Sequence, residues 1–137
     1  FASYPGIKGY LDGQVEKARR LGYVETILGR RRPLPDLRAT QRSARANAER
    51  MALNTPIQGS AADIIKVAMI RIHRRLAREG LRARMLLQVH DELLFEAPAD
   101  ELERLEDLVR EEMEHAVPLE VPLVVDVGTG HDWLAAH

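Results

Sequence analysis

The chain has 137 residues, enough for about one domain with a buried core, and its lack of cysteine excludes disulfide frameworks, thiolate metal sites and cysteine nucleophiles. No apolar run approaches the roughly 18 residues of a membrane span, so we expect no membrane partner. The net charge of −1 is unevenly divided, because residues 1–90 carry 18 Lys or Arg and 7 Asp or Glu, whereas residues 91–137 carry 2 and 14.

The first predicted elements are a helix and a short hairpin arm. Residues 7–21 carry apolar side chains at a helical period, and Gly22 follows as a stop signal. The stretch 23–28 is rich in β-branched and aromatic residues, which indicates a short strand or hairpin arm. Its basic tip consists of three consecutive arginines: Arg30, Arg31 and Arg32.

Two helices separated by a proline are predicted next. Residues from about 37 to 54 have a basic helical pattern, and Pro56 should end this helix because the residue before a proline avoids the α conformation. A second helix should run from residue 57 or 58 to residue 79, since one apolar stripe continues until Gly80. This is the longest predicted element.

The stretch from Met85 to Pro98 is the centre of the prediction. Apolar and polar residues alternate on both sides of His90 and Asp91, which indicates two short strands joined by a two-residue turn. Such turns usually need a positive φ, which His and Asp tolerate better than most residues, and strained turns are frequent at functional sites. A surface hairpin with a polar tip is the simpler interpretation of the turn taken alone.

The chain after the hairpin is acidic. Pro98 should open a third helix, with Leu105 on its apolar stripe and Glu112 among the acidic residues of its solvated side. Residues 117–127 are predicted to form a strand because the stretch is apolar, and its two prolines favour a position at the edge of a sheet. Together the elements predict an α+β fold in which helices pack on a small antiparallel sheet, with residues 1–137 as a single unit.

The division of charge allows two interpretations. An enzyme that acts on a polyanion needs a basic surface leading to carboxylates that hold divalent metal. Two solvated faces that attract one another within the fold would give the same pattern, so charge alone leaves both open.

Four sequence blocks follow one another along the chain. They are Gly22-Tyr-Val-Glu-Thr-Ile-Leu-Gly-Arg-Arg-Arg-Pro33, Glu49-Arg-Met-Ala-Leu-Asn-Thr-Pro-Ile-Gln-Gly-Ser-Ala-Ala-Asp63, Gln88-Val-His-Asp-Glu92 and Val127-Gly-Thr-Gly-His-Asp-Trp133. Together they resemble the C-terminal part of family A DNA polymerases, the bacterial DNA polymerase I group. A lone His-Asp-Glu would be weak evidence for this family, but four blocks in the family's order over essentially the whole chain are strong evidence.

The resemblance implies the C-terminal part of a polymerase palm with an adjoining fingers segment. Residues from 1 to about 36 would belong to the fingers side and residues from about 37 to 137 to the palm, with the family's third conserved motif at the hairpin. The implied activity is template-directed transfer of dNTPs to a primer 3′ end, in a bacterial cytoplasmic enzyme associated with the nucleoid.

The same resemblance implies roles for residues in three blocks. Asp91 would be one of two aspartates that hold two catalytic Mg²⁺ ions, Glu92 an auxiliary catalytic carboxylate, and His90 a contact to the primer end of primer-template DNA. The residues that would bind DNA elsewhere are Arg50, Asn54 and Gln58 along the minor groove, and Arg30, Arg31 and Arg32 near the backbone.

The chemistry of these residues agrees with the implied roles. Two metal ions about 4 Å apart can activate a 3′-hydroxyl and steady the leaving pyrophosphate. Amide side chains suit a protein that checks base pairing but ignores sequence, since minor-groove acceptors are nearly the same for every base pair. Taken singly, Asn54 and Gln58 are equally consistent with capping or buried amides, and Arg50 with a surface salt bridge.

Two blocks of the family are missing from these 137 residues. One carries the other metal-binding aspartate on an earlier palm strand, and the other is the finger helix that binds the nucleotide. The rest of the polymerase chain is therefore an expected partner, and the start at Phe1 rather than Met suggests a processed protein or a piece of a longer one. We expect the purified chain alone not to extend a primer. Extension by a preparation free of other polymerases would contradict this.

A second hypothesis from a different class is a non-catalytic module that binds nucleic acid through the basic helices of residues 30–84. Such a module would bind DNA in a salt-dependent way, and changing Asp91 would not affect that binding.

Overall fold

The structure is a computed structural model that describes residues 4–136. Its architecture is α+β, as predicted, with helices and two antiparallel sheets of two strands each. The chain divides into two compact units, Phe1–Asp63 and Ile64–His137. The assignment of residues up to about 36 to a fingers segment stays a prediction. None of the helices within residues 4–136 has the length and apolar content needed to cross a bilayer.

The first helix of the first unit, α1 (Pro5–Leu21), ends where the sequence predicts. Gly22 has a φ of 85°, a left-handed conformation that glycine adopts without steric cost. Its backbone N–H donates to the carbonyl of Ala18 at 2.7 Å and so satisfies one of the last carbonyls of the helix.

The predicted hairpin arm is a complete hairpin of β1 (Tyr23–Glu25) and β2 (Arg31–Pro33). The turn between the strands is closed by a hydrogen bond from the N–H of Thr26 to the carbonyl of Arg30 at 2.9 Å. The expected tip of three arginines is therefore wrong in detail: Arg30 ends the turn, and the next two arginines lie in β2 itself.

The core of the first unit consists of small and branched apolar side chains. Its buried members are Ala18, Val24, Leu34, Leu37, Ala48 and Ala52. Leu37 lies in a 3₁₀ turn (Pro35–Arg38) and not at the start of an α-helix, as the sequence pattern predicted. The extended backbone of Ala39 (φ −66°, ψ 144°) interrupts the helical run, and α2 begins only at Arg42.

Helix α2 (Arg42–Arg78) is one continuous element of 37 residues with Pro56 inside it. The prediction that Pro56 separates two helices is wrong. A proline within a helix costs roughly 3 kcal/mol because it removes one backbone hydrogen bond and crowds the preceding turn. Here Pro56 is itself buried, and Ala52, one turn before it, is fully buried in the core of the first unit, so turning the chain away at Pro56 would expose apolar surface. Burial therefore outweighs the local preference.

The second unit contains the later residues of α2, the hairpin of β3 (Arg84–Val89) and β4 (Glu92–Glu96), and α3 (Leu102–Glu114). The predicted two-stranded hairpin and third helix are thus confirmed. Its buried core consists of Ala68, Ile72, Leu76, Ala83, Leu105, Leu108, Val109 and Ala116. Leu93, Phe95 and Ala97 pack against this core and hold β4 in place.

Two expectations for the second unit are wrong. Glu112, expected on the solvated side of α3, is buried, because its carboxylate accepts from Arg71 Nε at 2.7 Å and Arg75 Nη1 at 3.2 Å. These two ion pairs offset the cost of taking the charge out of water. Residues 117–127 do not form a strand, since no strand among the described residues pairs with them.

Glu101 gives the second unit a pH-dependent contact. Its carboxylate accepts from the backbone N–H groups of Arg82 and Ala83, both at 2.9 Å, and these bonds lower the pKa of Glu101 from its usual 4.5. A lowered pKa in the folded state means that the contact stabilises the fold above the usual pKa and is lost as pH falls through the folded value.

We therefore expect Glu101→Gln to lower the midpoint of urea unfolding at neutral pH, with a difference from wild type that shrinks as the solution is acidified. Urea titrations over a pH series measure this difference. Glu120→Gln, in an exposed loop position, is the matched control and should behave as wild type. A deficit of Glu101→Gln that stays constant down to the lowest pH would contradict the assignment.

Candidate metal and nucleic-acid sites

The turn of the β3–β4 hairpin consists of His90 and Asp91, as the sequence predicts, with Val89 paired to Glu92. His90 has a φ of 54° and is the one non-glycine residue with a positive φ among residues 4–136. The side chain of Gln88 donates from Nε2 to the carbonyl of His90 at 3.0 Å and so supports the turn. A positive φ at a residue other than glycine is an unfavoured backbone conformation, and such strained residues are frequent at functional sites.

Asp91 and Glu92 place two adjacent carboxylates at this turn, and both residues are exposed. The carboxylate of Asp91 forms no hydrogen bond or ion pair with any residue in the described part of the chain. The lone pairs of a carboxylate in this state are available to a ligand from outside. Within residues 4–136 no group of three or more His, Asp or Glu side chains is close enough to hold a metal ion.

Arg50, Asn54 and Gln58 form an exposed face of α2 in the first unit. Since Pro56 does not break the helix, their spacing of four residues aligns them along one side, with a rise of about 6 Å between neighbours. Arg50 donates from Nη2 to Asn47 Oδ1 at 3.3 Å, which holds the guanidinium along the helix surface. Neither amide is buried, so the interpretation of both as buried amides does not hold.

Gln58 also lines a cleft of about 370 Å³ together with Arg30, Arg31 and Arg32. The structure thus brings four of the candidate DNA-binding residues into one basic cleft of the first unit. A concave surface with three guanidinium groups concentrates positive potential and attracts anions.

The guanidinium groups of β2 are held by neighbouring side chains. Arg31 lies over the ring of Tyr23, with its central carbon 4.4 Å from the ring centre, and its Nε is 3.2 Å from Glu25 Oε1. Arg32 donates from Nη1 to Thr55 Oγ1 at 3.4 Å. Both arginine side chains remain exposed, so their outer N–H groups can reach a ligand.

Asp63 is a residue of this region to which the sequence pattern assigned no role. It is buried in α2, and its Oδ1 accepts from Arg30 Nε at 3.0 Å and lies 2.9 Å from Arg30 Nη2. One signal could have marked it, since Asp63 is the only charged residue between Arg50 and Lys66. Its partner could not be inferred, because Arg30 lies 33 residues earlier.

Residues 1–135 match the sequence model of DNA polymerase family A. The chain belongs to this family. Among family A relatives, the thermostable DNA polymerase I of Thermus thermophilus is 56% identical over 136 residues, which are 99% of this chain and 16% of that protein. DNA polymerase I of Mycobacterium tuberculosis (strain H37Rv) is 58% identical over 136 residues, 15% of its length. The family A chain described here thus spans about a sixth of these relatives.

A solved polymerase structure has the same fold. It is titled "POL domain of Pol1 from M. smegmatis complex with DNA primer-template and dNTP" and is 57% identical, with a TM-score of 0.97 over 99% of this chain and 24% of its own. In our family A chain, the blocks at 22–33 and 49–63 contribute the basic cleft of the first unit. The block at 88–92 contributes the hairpin turn of the second.

Proposed function

We propose that this chain is the C-terminal part of a DNA-directed DNA polymerase, which transfers dNTPs to a primer 3′ end under the direction of a template. The observation that carries the proposal is the exposed carboxylate of Asp91, which has no partner among residues 4–136, at a supported turn of a family A chain. The M. smegmatis polymerase domain, whose title names primer-template DNA and dNTP, supports the same class of substrate.

Asp91 would serve as a ligand for Mg²⁺, with Glu92 beside it as an auxiliary carboxylate. Mg²⁺ prefers carboxylate oxygens and keeps part of its water shell, so an exposed aspartate in a turn that Gln88 supports fits its chemistry. Because residues 4–136 contain no group of three or more possible metal ligands, Asp91 and Glu92 would supply only part of a two-metal site, and the remaining ligands would come from the rest of the polymerase. When bound, the two ions would favour the ionised 3′-hydroxyl and neutralise charge on the phosphates.

The strand β4 is what makes Asp91 suitable for this role. Because Leu93 and Phe95 pack against the core of the second unit, the residues that follow the turn have little freedom to move. A carboxylate displaced by about 1 Å would lose much of its effect on a reaction that depends on positioning. His90, next to it in the turn, would contact the primer end.

The basic residues of the first unit would bind the duplex. Asn54 and Gln58 would accept and donate hydrogen bonds in the minor groove, beside Arg50 on the same face of α2. Arg31 and Arg32 would contact backbone phosphates from the cleft, which Arg30 also lines. Such contacts would keep the polymerase on DNA, and in a bacterial cell on the nucleoid.

Single-nucleotide incorporation by the complete polymerase that contains this chain tests the proposal. We expect incorporation of the dNTP complementary to the template base, complete loss of incorporation in EDTA, and recovery when Mg²⁺ is added back, because the chemistry depends on divalent metal. Incorporation that ignores the template, or that persists after all divalent metal is removed, would contradict the proposal.

A further inference from the structure

The turn of the β1–β2 hairpin is fastened to one turn of α2 by polar contacts. The backbone N–H of Ile27 donates to Ser60 Oγ at 2.8 Å. Arg30 donates from Nη2 to the carbonyl of Gly59 at 3.3 Å, and its guanidinium is paired with Asp63. Three contacts from residues 59–63 of α2 therefore hold a turn that lies about thirty residues earlier in the chain.

Stability alone does not explain the carboxylate of Asp63. The residue is 6% exposed, and its Oδ2 is buried without a hydrogen-bond partner in the described part of the chain. A buried charge with one unsatisfied oxygen costs free energy, and apolar residues of similar volume often replace buried ion pairs without loss of stability. Unlike an apolar side chain, a carboxylate fixes the orientation of the planar guanidinium of Arg30.

Gly59 shows how closely the hairpin and the helix approach each other. A Cβ atom at this position would lie 2.6 Å from Thr26 Cγ2, a distance that carbon atoms do not tolerate. Glycine inside a helix is less favourable than alanine, so this position loses helix stability in exchange for close contact with the turn.

The residues that hold the turn lie next to the residues that line the basic cleft, and Arg30 and Gly59 do both. Arg31 and Arg32 follow Arg30 directly in the chain, and Gln58 precedes Gly59. Any shift of the hairpin on α2 therefore moves the two arginines relative to the amide of Gln58.

We propose that Asp63 is a positioning residue for duplex binding, which acts through Arg30 and sets the geometry of the cleft between β2 and α2. The inference rests on the proposed function, since it assumes that this cleft binds DNA. Asp63 does not touch the duplex itself. It fixes the distance between the guanidinium groups of β2 and Gln58, so that phosphate and base-edge contacts form together.

A double-mutant cycle in the complete polymerase tests this role. The dissociation constant for primer-template DNA is measured against salt concentration for Asp63→Asn, for Arg32→Ala and for both changes together. We expect each single variant to bind about tenfold more weakly, and Arg32→Ala to reduce the salt slope by about 1. If Asp63 acts through the cleft, Asp63→Asn should have little further effect once Arg32 is gone.

The outcomes of this cycle separate the inference from the proposed function. Additive losses, or normal DNA affinity of Asp63→Asn, would overturn the positioning role and leave the polymerase proposal intact. Normal affinity of Arg32→Ala would show that the cleft is not part of the DNA site, which would also overturn the positioning role of Asp63. Asp12→Asn, an exposed position on α1, controls for loss of one negative charge and should bind as wild type.

Two further variants, which change the packing between the hairpin and α2, test the positioning role if Asp63→Asn does not fold. Gly59→Ala should push the hairpin away from α2 and weaken DNA binding without changing any charge. Adding Thr26→Ser removes the methyl group that meets the new Cβ but keeps the hydroxyl, which accepts from Arg30 N–H at 3.2 Å. We expect this second change to restore affinity. Normal binding by Gly59→Ala, or no recovery in the double variant, would overturn the proposal.

Discussion

Replacing Asp91 with Asn in the complete polymerase should reduce the rate of nucleotide incorporation by about 10³-fold or more while DNA affinity stays within about twofold of wild type. Asn keeps the size of the side chain and one oxygen, but it lacks the charge that a divalent ion needs. Metal ions contribute several kcal/mol of charge stabilisation to such reactions, and each 1.36 kcal/mol corresponds to tenfold in rate. Rapid-quench measurement of single-nucleotide incorporation gives the rate, and a binding titration gives the affinity.

Asp107→Asn is the matched control for this experiment. Asp107 is an exposed aspartate on α3 in the same unit, and we expect wild-type rates and affinity from its variant. The split between rate and affinity also separates the two classes of function, since a non-catalytic DNA-binding module has no rate to lose. Near-normal incorporation by Asp91→Asn would contradict the role of this carboxylate in metal binding.

The largest expected loss of stability follows from Ile72→Ala. Ile72 is fully buried in the core of the second unit, in the same cluster as Leu108, which is 1% exposed. Removing three buried carbon atoms costs their transfer from water plus the cavity they leave, which together amount to about 3–4 kcal/mol. The higher helix propensity of alanine returns only a few tenths of a kcal/mol. Urea unfolding followed by circular dichroism measures the change.

Ile70→Ala on the same helix separates burial from helix propensity. The side chain of Ile70 is 52% exposed, so the same chemical change should shift the free energy of unfolding by no more than about 0.5 kcal/mol. Equal losses in the two variants would show that Ile72 does not lie in the core described here.

Local signals in the sequence were sufficient for several elements. The end of α1 at Gly22 follows from the conformational freedom of glycine, and the turn at His90 and Asp91 follows from alternation on both sides of two residues that tolerate positive φ. The family also follows from the sequence, because four specific blocks occur in order along the chain.

Pro56 and Glu112 mark where local rules gave the wrong answer. A proline ends a helix when nothing else holds the chain, but Pro56 is buried one turn after the buried Ala52, and α2 continues through it. A glutamate in an acidic helix lies in solvent when it has no partner, but Arg71 and Arg75 pair with Glu112 inside the unit. In both cases contacts with other parts of the fold outweighed the local preference.

By itself, the sequence determined the family, the α+β class and the turn that presents Asp91, because each depends on neighbouring residues or on an ordered set of motifs. The tertiary structure alone decided that Arg50, Asn54 and Gln58 share one uninterrupted helix face, and that Arg30 pairs with Asp63. The physical reason is distance along the chain. Periodicity and turn chemistry act over a few residues, whereas an ion pair between positions 33 residues apart exists only once packing brings them together.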